Sequence, residues 1–155
     1  ALVNVHCGLS GDILLIRCSH FPFATKIVVG APCLPWSMKG SRDSWEDPRS
    51  DVFRKCLQII VYQARHPKLR EFVLENVMGM VPEIDGVSPL AQVIDFLKEK
   101  LLAISPEWTV QLFFVNSVDF CLPQTRPRVY VIGVKGGSGE MAMPQFATTA
   151  TFVQN

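Results

Sequence analysis

The feature that most constrains this chain is an alternation of two apolar patterns. Short runs, Ile27-Val28-Val29 and Glu71-Phe72-Val73-Leu74, read as strands. Longer stretches carry apolar residues at helical spacing. Val52, Phe53, Cys56, Leu57, Ile60 and Ala64 form one stripe, and Leu90, Val93, Ile94, Leu97 and Leu101 form another. Each helix opens on an acceptor side chain followed by proline, Asp47-Pro48 and Ser88-Pro89, the chemistry of an N-cap and a first helical residue. Pro67 stops the first helix. Trp108 to Val115 and Val129 to Val134 read as two further strands. Strand, helix, strand, helix, strand at these lengths implies an α/β fold, a mostly parallel sheet with helices on its faces. No helix separates the last two strands. They are expected to pair antiparallel at one edge, joined by residues 116–127.

The flanks are less regular. Leu2 to Val5 could add a strand, Gly8 and Gly11 bracket a turn, and Ile13 to Ile16 precede a connection containing Pro22. Residues 34–46 read as a polar loop. From Gly136 onward Gly, Ala, Met and Thr dominate, so 1–135 is expected to be the domain and 136–155 a linker or loose end. Composition matters here only for what it excludes. With 48% hydrophobic and 19% charged residues over 155, the chain can build a core and is one domain or part of one. A net charge of +1 means that any nucleic-acid contact must come from a local patch or from another part. The apolar runs are too short to span a membrane. The first five residues lack the basic start and long apolar core of a signal peptide. Five widely spaced cysteines form no disulfide framework and no zinc pattern, so no metal is expected. Reduced thiols point to an intracellular protein.

Three stretches carry chemistry. Gly30-Ala31-Pro32-Cys33-Leu34-Pro35-Trp36-Ser37 puts a cysteine just past the carboxyl end of the first strand, the edge of an open α/β sheet where ligands bind. Pro32 and Pro35 stiffen that loop around Cys33. A buried strand-end thiol is the plain alternative. Glu75 follows an apolar strand. Desolvation there would favour a protonated carboxyl able to donate to a ring nitrogen, whereas a solvated glutamate is the alternative. Arg126 and Arg128, two apart in extended chain, point the same way. A guanidinium suits a carbonyl oxygen, carboxylate or phosphate, and a solvated pair is the bland reading.

Together, Gly-x-Pro-Cys-x-Pro-Trp-Ser-x-x-Gly, Glu-Asp-Pro-Arg, Glu-Asn-Val and Asn-x-x-Asp-Phe-x-x-Pro-Gln-x-Arg-x-Arg resemble, in this order, the central half of the cytosine-C5 DNA methyltransferases. The resemblance covers about residues 11–134. It implies a Rossmann-like methyltransferase fold, incomplete here, with S-adenosylmethionine as cofactor and double-stranded DNA as partner. Cys33 would attack C6 of a cytosine flipped from the duplex, Glu75 would protonate N3, and Arg128 with Arg126 would hold the base oxygen or the loop. Asp12 is implied for the cofactor's adenine amino group, with Ile13, Pro32 and Val52 beside it. Ser37, Lys39 and Arg42 would meet the DNA backbone. Arg49 is grouped with them, anchoring the loop's far end. Asn76 and Gln124 would support the site.

The chain also departs from the family. Leu34 stands where Gln usually follows the cysteine, and the Phe-x-Gly-x-Gly turn of the first motif is absent. Nothing after Val134 resembles the target-recognition region or the closing motifs. The chain is therefore expected to be an excerpt, a truncated product or one half of a split enzyme, with the missing part of the same enzyme as a further expected partner. Alone it should hold neither cofactor nor DNA well. A remnant that binds nucleic acid without turnover is the alternative to an enzyme. An RNA substrate ranks last, because the Cys-Phe-Thr segment of the RNA-methylating branch is missing. Location would be the nucleus in a eukaryote and the cytoplasm in a bacterium.

Overall fold

The computed structural model describes residues 11–37, 43–84 and 86–136. The proposed strand at 2–5 and the tail at 137–155 lie outside them. The four strands are β1 (Lys26–Gly30), β2 (Glu71–Val77), β3 (Trp108–Asn116) and β4 (Pro127–Lys135), and the helices are α1 (Ser50–Ala64) and α2 (Pro89–Ile104). The sheet order is β1-β2-β4-β3. β1 and β2 are parallel, and β4 runs antiparallel to both β2 and β3. The α/β class and the antiparallel pairing of the last two strands hold. The antiparallel strand is not the edge, however. β4 inserts between β2 and β3, which leaves β3 outermost. A β4 directed against β2 can use the hydrogen-bonding side that a third parallel strand would otherwise fill, and its apolar inner residues suit the interior position.

Both crossovers, β1-α1-β2 and β2-α2-β3, step the same way across the sheet. Right-handed crossovers then put both helices on one face. The core lies under that face. Phe53, Leu57 and Ile60 of α1 and Leu90, Val93, Leu97 and Leu101 of α2 close on Phe72, Leu74, Val129 and Val131. Ile59 and Gln63 are also buried on α1, whereas Val52 in its first turn is only half-buried. Gln63 earns its place by bonding: its Nε2 donates to the Phe21 carbonyl at 3.1 Å, tying down the connection into β1. Among the described residues no helix is long and apolar enough to cross a membrane.

The caps differ in detail from the sequence reading. Ser88 is the N-cap of α2, its Oγ accepting from the Ala91 N–H, with Pro89 in the first position. The regular part of α1 begins at Ser50, later than Asp47-Pro48 implies. Asp47 still caps the approach: its Oδ1 accepts the Arg49 N–H at 2.8 Å. The intervening turn is tight, with Ser50 N–H bonded to the Asp47 carbonyl. Ile13-Leu14-Leu15-Ile16 forms turns, not a regular element, and leaves Leu15 exposed.

Candidate active site

The parallel pairing of β1 with β2, and the antiparallel return of β4, bring three distant segments to one end of the sheet. Gly30 pairs with Glu75, and Val77 pairs with Arg128. The Cys33 loop leaves from Gly30 at this same end. Glu75 was expected just beyond a strand, but β2 runs on through Val77 because β4 lies alongside it to Arg128.

Strand alternation decides which side chains meet. Phe72, Leu74 and Asn76 face the helices, so Glu71, Val73, Glu75 and Val77 face the opposite side. Arg128, Tyr130 and Ile132 of β4 share that side, their neighbours Val129 and Val131 being buried under the helices. Glu75 lies directly across from Tyr130 and diagonally from Arg128, a reach that a long side chain spans. Arg128 Nε donates to Glu75 Oε1 at 2.7 Å. A guanidinium only donates, so here Glu75 accepts, where the sequence reading cast it as a donor to a ring. Its second oxygen borders Gly30, the last residue of β1 before the Cys33 loop.

Arg126 and Arg128 line one groove of about 540 Å³ with Glu75, Phe113, Tyr130 and Leu122. The Arg126 backbone is placed by Asn116, whose Oδ1 accepts the Arg126 N–H at 2.9 Å. Asp119 in turn accepts the Asn116 N–H at 3.2 Å, and Ser117 Oγ donates to the Gln124 carbonyl. Asn116, Ser117 and Asp119 thus hold the arginine-bearing segment. The sequence reading quoted Asn116 and Asp119 as letters of a motif and gave them no task. Their three-residue spacing at a strand end was the available signal. Gln124 enters through its carbonyl, and its side chain is exposed.

Cys33 is half-buried and does not line that groove. It sits in a tight turn. Its carbonyl accepts the Trp36 N–H at 3.1 Å, and the Leu34 carbonyl accepts the Ser37 N–H. Trp36 is buried and packs edge-on against Trp45 and Phe53, with centroids at 5.3 and 5.2 Å, which anchors the turn. Leu34 beside the thiol is 41% exposed. Burial pushes the Cys56 thiol up, which leaves less of it as thiolate.

The other expected residues fall as follows. Asn76 is buried under the helices, its Oδ1 bonded to the Val77 N–H and its Nδ2 without a partner among the described residues. Ser37 Oγ is likewise buried and unpartnered, whereas a phosphate contact needs it at the surface. Lys39 and Arg42 lie outside the described residues. Arg49 Nε donates to Asp47 at 2.8 Å, and that hydrogen bond raises the guanidinium's pKa. The pair anchors the far end of the loop and leaves Arg49 partly engaged.

For S-adenosylmethionine, the residues present fit one end. Ile13, Val29, Gly30 and Ile59 line an apolar hollow of about 360 Å³ beside β1. Asp12, next to Ile13, uses Oδ1 to accept the Leu14 N–H, which leaves a second oxygen for an amino group. These features suit an adenine. Pro32 and Val52 are half-buried and do not line the hollow. Among the described residues no cluster of His, Cys, Asp and Glu is placed to hold a metal.

A mixed sheet with both helices on one face, and a cysteine loop, a carboxylate and paired arginines at its ligand end, defines a Rossmann-like methyltransferase domain. The structure of Schizosaccharomyces pombe Dnmt2 methyltransferase superposes with a TM-score of 0.56 at 20% identity, covering 84% of this chain and 37% of that one. That of Entamoeba histolytica methyltransferase EhMeth gives 0.56 at 15% identity, covering 89% and 41%. These likenesses speak for the fold. The family model for C-5 cytosine-specific DNA methylase matches residues 4–152, and the chain belongs to that family. Type II methyltransferase M.HgiCII of Herpetosiphon aurantiacus is 27% identical over 139 residues, 88% of this chain and 29% of the relative. M.NlaIV of Neisseria lactamica is 32% identical over 125 residues, 79% and 28%. The chain therefore spans under a third of the length of these curated relatives.

Proposed function

We propose that this chain is the catalytic portion of an enzyme that transfers a methyl group to C5 of cytosine in DNA through a covalent adduct with Cys33. Family membership supports the reaction class. The observation that carries the mechanism is the 2.7 Å pair between Arg128 and Glu75, one strand away from Gly30 and the Cys33 turn.

The cytosine would leave the helix to reach this edge, because its ring is closed to attack inside a duplex. The Cys33 thiolate adds to C6 as Glu75 gives a proton to N3. That makes C5 electron-rich and opens the aromatic system. Arg128 donates both to Glu75 and towards the ring oxygen, orienting the carboxyl and countering charge on the base. Asp12 and Ile13 would hold the adenine of S-adenosylmethionine, which when bound would supply an electrophilic methyl group. A base then takes the C5 proton, the C5–C6 double bond re-forms, the Cys33 thiolate leaves, and N3 returns its proton to Glu75. Lys39 and Arg42 would meet the DNA backbone from the loop that Arg49 anchors.

A second reading is a remnant that binds nucleic acid without turnover, favoured by the apolar, exposed Leu34 beside the nucleophile. A duplex containing 5-fluorocytosine separates the two, since fluorine blocks the final proton loss and traps the adduct. With S-adenosylmethionine present, the full-length protein that carries this chain should form a covalent complex that maps to Cys33 and disappears in Cys33→Ser, with an unchanged melting temperature. Duplex binding without an adduct would establish the remnant.

A further inference from the structure

We propose that Gly79 is a positioning residue that sets the distance between the Cys33 turn and the strand carrying Glu75; this rests on the roles proposed for those two residues. Gly79 lies in the short 3₁₀ turn Met78–Met80, directly after β2. A Cβ built there would fall 2.9 Å from the Trp36 carbonyl carbon and closer still to its oxygen. Both are backbone atoms, so no side-chain rotation relieves the clash. Nor is glycine required by backbone conformation: the positive-φ glycines among the described residues are Gly11, Gly86 and Gly136. The demand for a bare Cα comes from the neighbouring turn alone.

The two sides of this contact are not equally free to give way. β2 is held by ladders to β1 and to β4, and Met80 next to Gly79 is buried. The Cys33 turn joins β1 through Ala31 and Pro32, and the Ser44 N–H bonded to the Pro35 carbonyl holds its far side. Its Trp36 is caged by Trp45 and Phe53, and its Trp36 N–H is bonded to the Cys33 carbonyl. A push on the Trp36 carbonyl therefore passes along the turn to Cys33, while Glu75 stays in register. Gly79 lets the two catalytic segments touch backbone to backbone, and the Cys33-to-Glu75 spacing is the result.

The test compares Gly79→Ala with Gly136→Ala. Gly136 has φ +78° and open space around it, beyond the opposite end of β4, so alanine there strains the chain away from the site. Gly79→Ala should slow adduct formation on saturating fluorocytosine duplex about 100-fold, the scale of a misplacement near 1 Å. Duplex affinity should stay within about threefold. Gly136→Ala should lower the melting temperature and leave the adduct rate alone. Haloacetamide labelling resolved by mass spectrometry adds a readout that needs no turnover. In Gly79→Ala only the Cys33 rate should change, with buried Cys56 and exposed Cys121 as internal references. If Gly79→Ala does not melt cooperatively, Trp45→Leu, which opens the Trp36 cage from its other side, must give the same selective change at Cys33. Wild-type adduct and labelling rates in Gly79→Ala, or in its replacement, overturn the proposal. A wild-type protein that forms no adduct at all overturns the functional reading instead, and the labelling still decides the positional one.

Discussion

Arg128 and Glu75 meet because each sits on the uncovered side of its strand, two residues off the direct pairing. The pair is partly buried, with side chains 21% and 31% exposed, so it contributes modestly to stability, about 1 kcal/mol or less. Its weight is in geometry. Glu75→Gln keeps the shape and removes the acid, and should lower the methyl-transfer rate about 100-fold or more while the Michaelis constant for DNA changes little. Arg128→Lys keeps the charge but loses the planar donor set, and should fall between that variant and the wild type. A rise in the Michaelis constant at unchanged turnover in Glu75→Gln would count against its role as an acid. These residues stood out in the sequence through the order of their motifs, since each alone has a plain structural reading. Their partners were not legible. The bond from Asn116 to Arg126 depends on how a ten-residue connection folds back, which spacing along the chain does not encode.

Among the elements, the helices were the most readable. Cap-plus-proline starts and apolar stripes arise from local physics: α2 starts where its signal puts it, and α1 starts at Ser50, a short turn after Asp47-Pro48. The position of β4 was not readable, since the apolar alternation of a strand says which side is buried and nothing about its neighbours. One residue records the insertion. Gly133 pairs with Phe72 across β2 and β4, and a Cβ there would lie 2.7 Å from Phe72 Cδ1 and closer to the ring edge. The ring covers the glycine and packs on towards Trp108, with centroids 5.9 Å apart. Gly133→Ala should push Phe72 off its seat and cost about 1–3 kcal/mol in chemical denaturation. Phe72→Leu, by freeing that space, should make the same glycine substitution cheaper. Additive costs in the double variant would mean that the two residues do not share the space.

At the scale of the molecule, both crossovers lie on one face, and among the described residues no helix covers the other face of the sheet. Val28, on that face through its pairing with Val73, is 68% exposed. Tyr130, Ile132 and Val134 of β4 are only partly shielded there, by their own neighbours. Adjacent residues of one strand should therefore respond very differently to the same truncation. Val131 is 3% exposed and packs in the core under α1 and α2. Val131→Ala should cost about 2–3 kcal/mol, by lost transfer energy and an unfilled cavity. Ile132→Ala removes a larger side chain, yet should cost less, about 1–2 kcal/mol, because Ile132 is only partly buried and no helix packs over it. Urea denaturation of the two variants under the same conditions reads the difference directly. Equal costs would mean that something covers the second face in solution, so that the sheet is buried on both sides.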